Sequence, residues 1–167
     1  MTSSVPVPTS GPVPLPLTRE MVEGVLDSHE FHYVTDDDGD FGGNWGDHRV
    51  WFMLMGDKEE IFQVRGTWGR SVDPVHKAPL LRALNEWNRE RVFPKMYARL
   101  NPSNDLLDVH AESSTDLEHG VTAEQLDVIL MSGLETAMMA FDHLDAQVPA
   151  FGLPEVPPED GDTPDAG

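Results

Sequence analysis

Residues 49–68 read RVWFMLMGDKEEIFQVRGTW, and the layout of that stretch decides the fold. Gly56-Asp57-Lys58-Glu59 is a turn composition between two extended runs, Arg49 to Met55 and Glu60 to Trp68, which predicts a long β-hairpin. In the second run Phe62, Val64 and Trp68 share a side opposite Gln63, Arg65 and Thr67, so one side faces a core. The first run differs. Val50, Phe52 and Leu54 point one way, Trp51, Met53 and Met55 the other, and both sets are apolar. A half-solvated antiparallel strand carries polar residues on its wet side, so this one needs cover on both, from helices, a second subunit or a client. A homodimer is the expected cover, with Met53 and Met55 able to adapt to different apolar surfaces. The alternative is that the domain's own helices cover both faces.

Working outward toward the N-terminus, Phe31 to Thr35 and Phe41 to Trp45 flank an aspartate-rich turn, Asp36 to Asp40, and predict a shorter hairpin. Before it, Thr18 is placed to cap a helix whose apolar stripe is Met21, Val22, Val25 and Leu26, ending near His29. Toward the C-terminus, Pro79 argues against a helix running unbroken from Asp73-Pro74, so the second helix is expected from near Lys77. Its stripe is Leu80, Leu81, Leu84 and Trp87, and Pro94 stops it. Met96, Ala98 and Leu100, then Leu107, Val109 and Ala111, alternate with polar residues and predict an antiparallel pair. Thr122-Ala123-Glu124-Gln125 matches a capping box and opens a third helix. The expected class is α+β: an antiparallel sheet flanked by three helices, in the order helix, three or four strands, helix, two strands, helix.

The flanks have a different composition. Residues 1–16 hold prolines without a basic start or a continuous apolar stretch, and are expected to form a disordered tail that is no secretory signal. Residues 150–167 are acidic and proline-rich and are likewise expected to be disordered, leaving 17–149 as the folded domain. The longest apolar run, Val50 to Met55, falls far short of the roughly 20 residues a membrane span needs, so a cytoplasmic protein is expected. The chain has no cysteine, which removes disulfides, thiolate metal sites and cysteine nucleophiles. Its formal charge of −19 disfavours a nucleic-acid or anionic-membrane partner, because such binding depends on Lys and Arg displacing counterions. That charge is segregated. Residues 65–99 hold eight bases and three acids, whereas residues 100–167 hold fifteen acids and no Lys or Arg. The island of bases around the second helix either offsets nearby carboxylates in its own chain or a symmetry mate, or receives an acidic peptide or the chain's own tail.

Leu84-Asn85-Glu86-Trp87-Asn88-Arg89-Glu90-Arg91, followed by Phe93-Pro94-Lys95-Met96-Tyr97, resembles the signature of the YbjN family of bacterial sensory-transduction regulators. Leu17-Thr18, the aspartate-rich turn before Trp45, Gln63-Val64-Arg65-Gly66, and Gly120-Val121-Thr122 leading into Gln125-Leu126 extend the resemblance over roughly 17–149. The resemblance implies a fold similar to that of type III secretion chaperones, usually dimeric. It transfers no catalytic residues.

No motif in the chain announces a reaction. Asp36, Asp38 and Asp40 alternate like a calcium loop, but the glycine falls at the fourth position instead of the sixth and no Glu occupies the twelfth, which favours a solvated turn. His29 and His32 lack the zinc-protease spacing, and no phosphate loop, nucleophile elbow or dinucleotide fingerprint occurs. Asn85 and Asn88 are expected to bond backbone on an adjacent loop or strand, the alternative being contact with a bound peptide. The resulting expectation is a nonenzymatic, chaperone-like regulatory domain without cofactor or metal, binding itself as a homodimer and a protein or peptide client. Its candidate contact residues are Trp51, Met53, Met55, Arg82, Asn85, Trp87, Asn88, Arg89, Lys95 and Tyr97. The competing class is a small-ligand or metal-binding domain, or an enzyme without a recognisable motif.

Overall fold

A computed structural model describes residues 11–155. The Thr18 hydroxyl accepts a hydrogen bond from the Met21 amide and starts α1, Arg19–Ser28. There follow β1, Val34–Thr35; β2, Phe41–Trp45; β3, His48–Met55; and β4, Ile61–Val72. A 3₁₀ turn, Pro74–His76, leads into α2, Lys77–Glu90, then β5, Lys95–Asn101, and β6, Leu106–Asp116. The capping box forms as expected, with Thr122 and Gln125 bonding each other's amides at the head of α3, Ala123–Asp145. A second 3₁₀ turn, Val148–Phe151, closes the described fold. The six strands make one antiparallel sheet in the order β1-β2-β3-β4-β6-β5.

Two elements differ from their expected lengths for local reasons. The first hairpin's leading strand shrinks to two residues because the Phe31 amide donates to the Leu26 carbonyl, closing the end of α1 and leaving the ladder without that group. β4 runs on to Val72 through an irregularity between Thr67 and Ser71, which carries Val72 into the core.

All three helices lie on one side of the sheet. α1 adds Val22 and Leu26 to Val50, Phe52, Phe62 and Val64, and α2 adds Leu80, Leu84 and Trp87 to Trp68, Val72, Val109 and Ala111. α3 serves both groups, with Leu126, Leu130 and Leu134 in the first and Ala137, Phe141 and Leu144 in the second. It sits close enough that a methyl group on Gly133 would stand 2.7 Å from Val64, and one on Gly66 2.8 Å from the Phe141 ring.

The two-sided apolar strand is therefore half covered by helices. Val50, Phe52 and Leu54 are buried, while Trp51, Met53 and Met55 face the other way, and Met55 stays 39% exposed. The packed body is longer than the expected 17–149 domain. Leu15 exchanges both backbone hydrogen bonds with Val121, and Phe151 is buried edge-on to Trp68 at 6.3 Å. An apolar ring in an otherwise acidic segment gains more from the core than from water. The remaining parts of the two expected tails, 1–10 and 156–167, lie outside the described residues.

Gly133→Ala and Gly24→Ala separate packing from helix propensity. Both gain about 1 kcal/mol of propensity, but an added methyl at Gly24 meets no atom within 4 Å while one at Gly133 strikes Val64. Urea unfolding should find G24A more stable than wild type, and G133A less stable by on the order of 1 kcal/mol after an overpacking cost of about 1–3 kcal/mol.

Candidate protein-binding site

The side of the sheet away from the helices is built by alternation. Residues two apart on each strand share a face, and the register lines up Trp51 with Arg65, Arg65 with Glu112, and Glu112 with Lys95 across β3, β4, β6 and β5. One step along lie Thr67, His110 and Tyr97, and one step the other way Met53, Gln63 and Ser114. This outer face carries a polar centre with an apolar flank.

Glu112 is the centre. Its Oε1 accepts from Lys95 Nζ at 3.0 Å, and its Oε2 accepts from the Tyr97 hydroxyl at 3.0 Å and from Arg65 Nε at 3.3 Å. Burial alone would raise this carboxyl, but the bonds from Lys95 and Tyr97 and the charges of Lys95 and Arg65 outweigh it and hold it below its usual range. Burial, then the bond to Glu112, pushes the Tyr97 hydroxyl up. Arg65 also donates to Gln63, whose amide donates to Ser114. Thr67 and His110 are within 3.0 Å, and burial lowers the His110 imidazole against the opposing pull of Asp108.

On the flank, the Trp51 ring lies over Gly42, where any side chain would collide with it at 2.6 Å, and the Arg49 guanidinium stands 4.7 Å above the ring. Local stacking thus covers part of what the helices do not. Met53, Met55 and Ile61 continue the apolar flank beside it.

The structure brings five of the ten candidate contact residues, Trp51, Met53, Met55, Lys95 and Tyr97, onto this one face. Arg82, Asn85 and Arg89 line a shallow groove on the solvent side of α2, across the molecule from the outer sheet face. The other two hold the fold. Trp87 is 2% exposed and its indole N–H donates to the Pro94 carbonyl, which corrects its assignment as a contact residue: the apolar stripe of α2 takes it into the core. Asn88 donates to the Met96 carbonyl and accepts from the Met96 amide, both at 2.9 Å, fastening α2 to β5. Arg65, Gln63, His110 and Glu112 are members of the outer face that sequence reasoning did not single out. Their signal was the polar half of each strand's alternation, which reveals a face but not the cross-strand register.

The aspartate-rich loop is a turn. Asp36 accepts from the Asp38 and Asp40 amides, and Gly39 takes a φ of +82°. Among the described residues no group of three or more His, Asp or Glu side chains could hold a metal ion, and no helix is long and apolar enough to cross a membrane.

A domain that puts three helices on one side of an antiparallel sheet and leaves the other open defines an α+β class with a flat exposed surface. The family model described as "Putative bacterial sensory transduction regulator" matches residues 18–146, and the chain belongs to this family, YbjN. Among solved structures, the fold is similar to that of YbjN from E. coli, at 15% identity and a TM-score of 0.67 over 81% of this chain and 96% of that one. It is also similar to an uncharacterized protein from Methanothermobacter thermautotrophicus, at 18% identity and a TM-score of 0.52 over 81% and 100%. The Yersinia pestis type III secretion chaperone SycH, in complex with a fragment of YscM2, matches at 12% identity and a TM-score of 0.43 over 73% and 98%. No curated protein matches the sequence.

Glu112→Gln keeps the shape of the centre and removes its charge. Because the folded carboxyl lies below its unfolded value, its stabilisation is complete above the usual carboxylate range and is lost as pH falls through the folded value. Chemical unfolding should show E112Q less stable by about 1–3 kcal/mol at neutral pH, with the gap narrowing below about pH 4.3. A constant gap across that range would assign the loss to packing.

Proposed function

We propose that this chain is a nonenzymatic protein-interaction domain, whose outer sheet face is occupied by a second copy of the chain or by a protein or peptide client. The carrying observation is the combination on one face of an apolar flank that no helix covers, half-buried Trp51 and Met53 with exposed Met55, and a polar centre already ordered around Glu112. Flat surfaces of this kind suit protein partners better than small ligands, which favour enclosed clefts. Methionines let such a surface adapt to more than one apolar partner. Membership of a family described in terms of sensory transduction regulation supports a regulatory setting for the binding.

The outward side of α2 forms a separate charged groove. Arg82 and Arg89 lie there with Asn85 and Glu86, Arg89 is paired with Glu90 at 3.3 Å, and Arg82 is the cation through which an acidic segment would use the groove. Such a contact would weaken with added salt, whereas the Trp51 flank would not.

Trp51→Ser combined with Met53→Thr tests the reading. Light scattering at micromolar concentration should return a dimer for wild type and a monomer for the double variant, with matching circular dichroism confirming the fold. Partners recovered from the native cell should be lost by the same variant and kept by Arg82→Glu. A wild-type monomer whose partners are unaffected by the double variant overturns the proposal.

A further inference from the structure

β6 is longer than the strand beside it. β5 pairs with Leu106 to Glu112, where Lys95 is its first residue, and beyond that point β6 keeps β4 on one side only. The Leu117 amide donates to the Glu60 carbonyl, so by the alternation of an antiparallel ladder Thr115 and Ser113 also bond toward β4. Ser114 and Asp116 then turn their N–H and C=O groups outward, two residues apart, with no backbone partner among the described residues. An open edge of this kind is a template for another strand.

The edge has an apolar bed. Val92, Phe93, Val128 and Ile129 line a groove along it together with Ser113, and Val92 is 93%, Phe93 52% and Val128 63% exposed. The Ser113 hydroxyl, turned inward, has no hydrogen-bond partner among the described residues. A second groove, sharing Val128 and Ile129, continues past Gly120 and Val121. That is where Leu15 bonds Val121, with Pro14 and Leu15 against Gly120.

We propose that residues 1–10 of the chain add a strand to this edge, with Val5 and Val7 bonding the backbone of Ser114 and Asp116. The sequence there is MTSSVPVPTS. An added strand directs the N–H groups of every second residue to its neighbour, so with Val5 and Val7 facing β6 the alternate positions, 6 and 8, need none. Val5-Pro6-Val7-Pro8 has amide hydrogens at one set of alternate positions and prolines at the other, and proline is tolerated in strands where its missing N–H would face solvent. The same device is already visible at Leu15, which exchanges both bonds with Val121 between Pro14 and Pro16. Seven residues separate Val7 from Leu15, a reach of up to about 25 Å, and Leu15 is anchored beside the second groove. Whichever way the added strand runs, either the valines or the prolines lie over Val128 and Ile129. The prolines on the outer side would also stop any further strand from pairing.

Residue-resolved amide exchange on the full chain tests this. The Ser114 and Asp116 amides should exchange at least tenfold slower in wild type than in Val5→Pro/Val7→Pro, which removes the two donors, while Pro6→Ala/Pro8→Ala behaves like wild type. The Ser113 and Thr115 amides, bonded to β4, should be unchanged in all three and report an intact sheet. Equal rates at Ser114 and Asp116 in wild type and the valine variant overturn the proposal. Protection that survives that variant and grows with protein concentration also overturns it, placing a second copy on the edge.

Discussion

The seating of α3 on β4 constrains everything else. Gly133 against Val64 and Phe141 against Gly66 bring backbone and sheet together at two points along one helix, which a Cβ at either glycine would prevent. A helix of 23 residues, about 34 Å long, spans both halves of the core and ties α1 at one end to α2 at the other. Once α3 occupies the middle of one face, α1 and α2 find their apolar partners on the same side. Among the described residues no helix remains for the other face, so its composition decides what the protein can do there.

That outer face solves its exposure in two ways. Over the centre, Lys95, Tyr97 and Arg65 satisfy Glu112, so a largely buried carboxylate remains ionised within a network whose members hold one another in place. Over the flank, Trp51 can lie flat only because Gly42 presents no side chain, and Arg49 stacks above it. Neither device reaches Met55. The exposed apolar area thus sits beside a rigid polar frame, an arrangement in which apolar burial supplies affinity and the fixed charges supply orientation.

Periodicity and punctuation carried most of this fold. The alternation from Phe62 to Trp68, the Thr122–Gln125 capping box and the Lys77 start of α2 depend on neighbours in sequence, and each appears where local chemistry puts it. The two apolar sides of β3 were also legible, but which side the helices would take depends on the seating of α3, a long-range contact. Register was equally hidden: nothing near Glu112 in sequence announces Lys95, seventeen residues earlier, or Arg65 on another strand. Trp87 shows the reverse error. A Trp on an amphipathic stripe reads either as core or as contact, and the Pro94 carbonyl that receives its N–H settles it as core. Phe151 was missed because the acids around it dominate the composition of its segment, while burial is decided one side chain at a time.

The open end of β6 follows from how α2 is joined to β5. Trp87 donates to the Pro94 carbonyl and Asn88 grips both backbone groups of Met96, so the chain leaves the helix and enters the sheet at a fixed point. Val92 and Phe93 then stand out in solvent instead of prolonging the strand. β5 therefore cannot follow β6 beyond Glu112, although β4 follows it to Asp116. The overhang is an outcome of the same contacts that fasten α2, and shortening β6 to remove it would also remove its pairing with β4. What can vary without cost to the core is the sequence of the overhang. It is Ser-Ser-Thr-Asp, small and polar with one charge, a composition that discourages indiscriminate edge pairing while leaving the Ser114 and Asp116 backbone available to one matched strand.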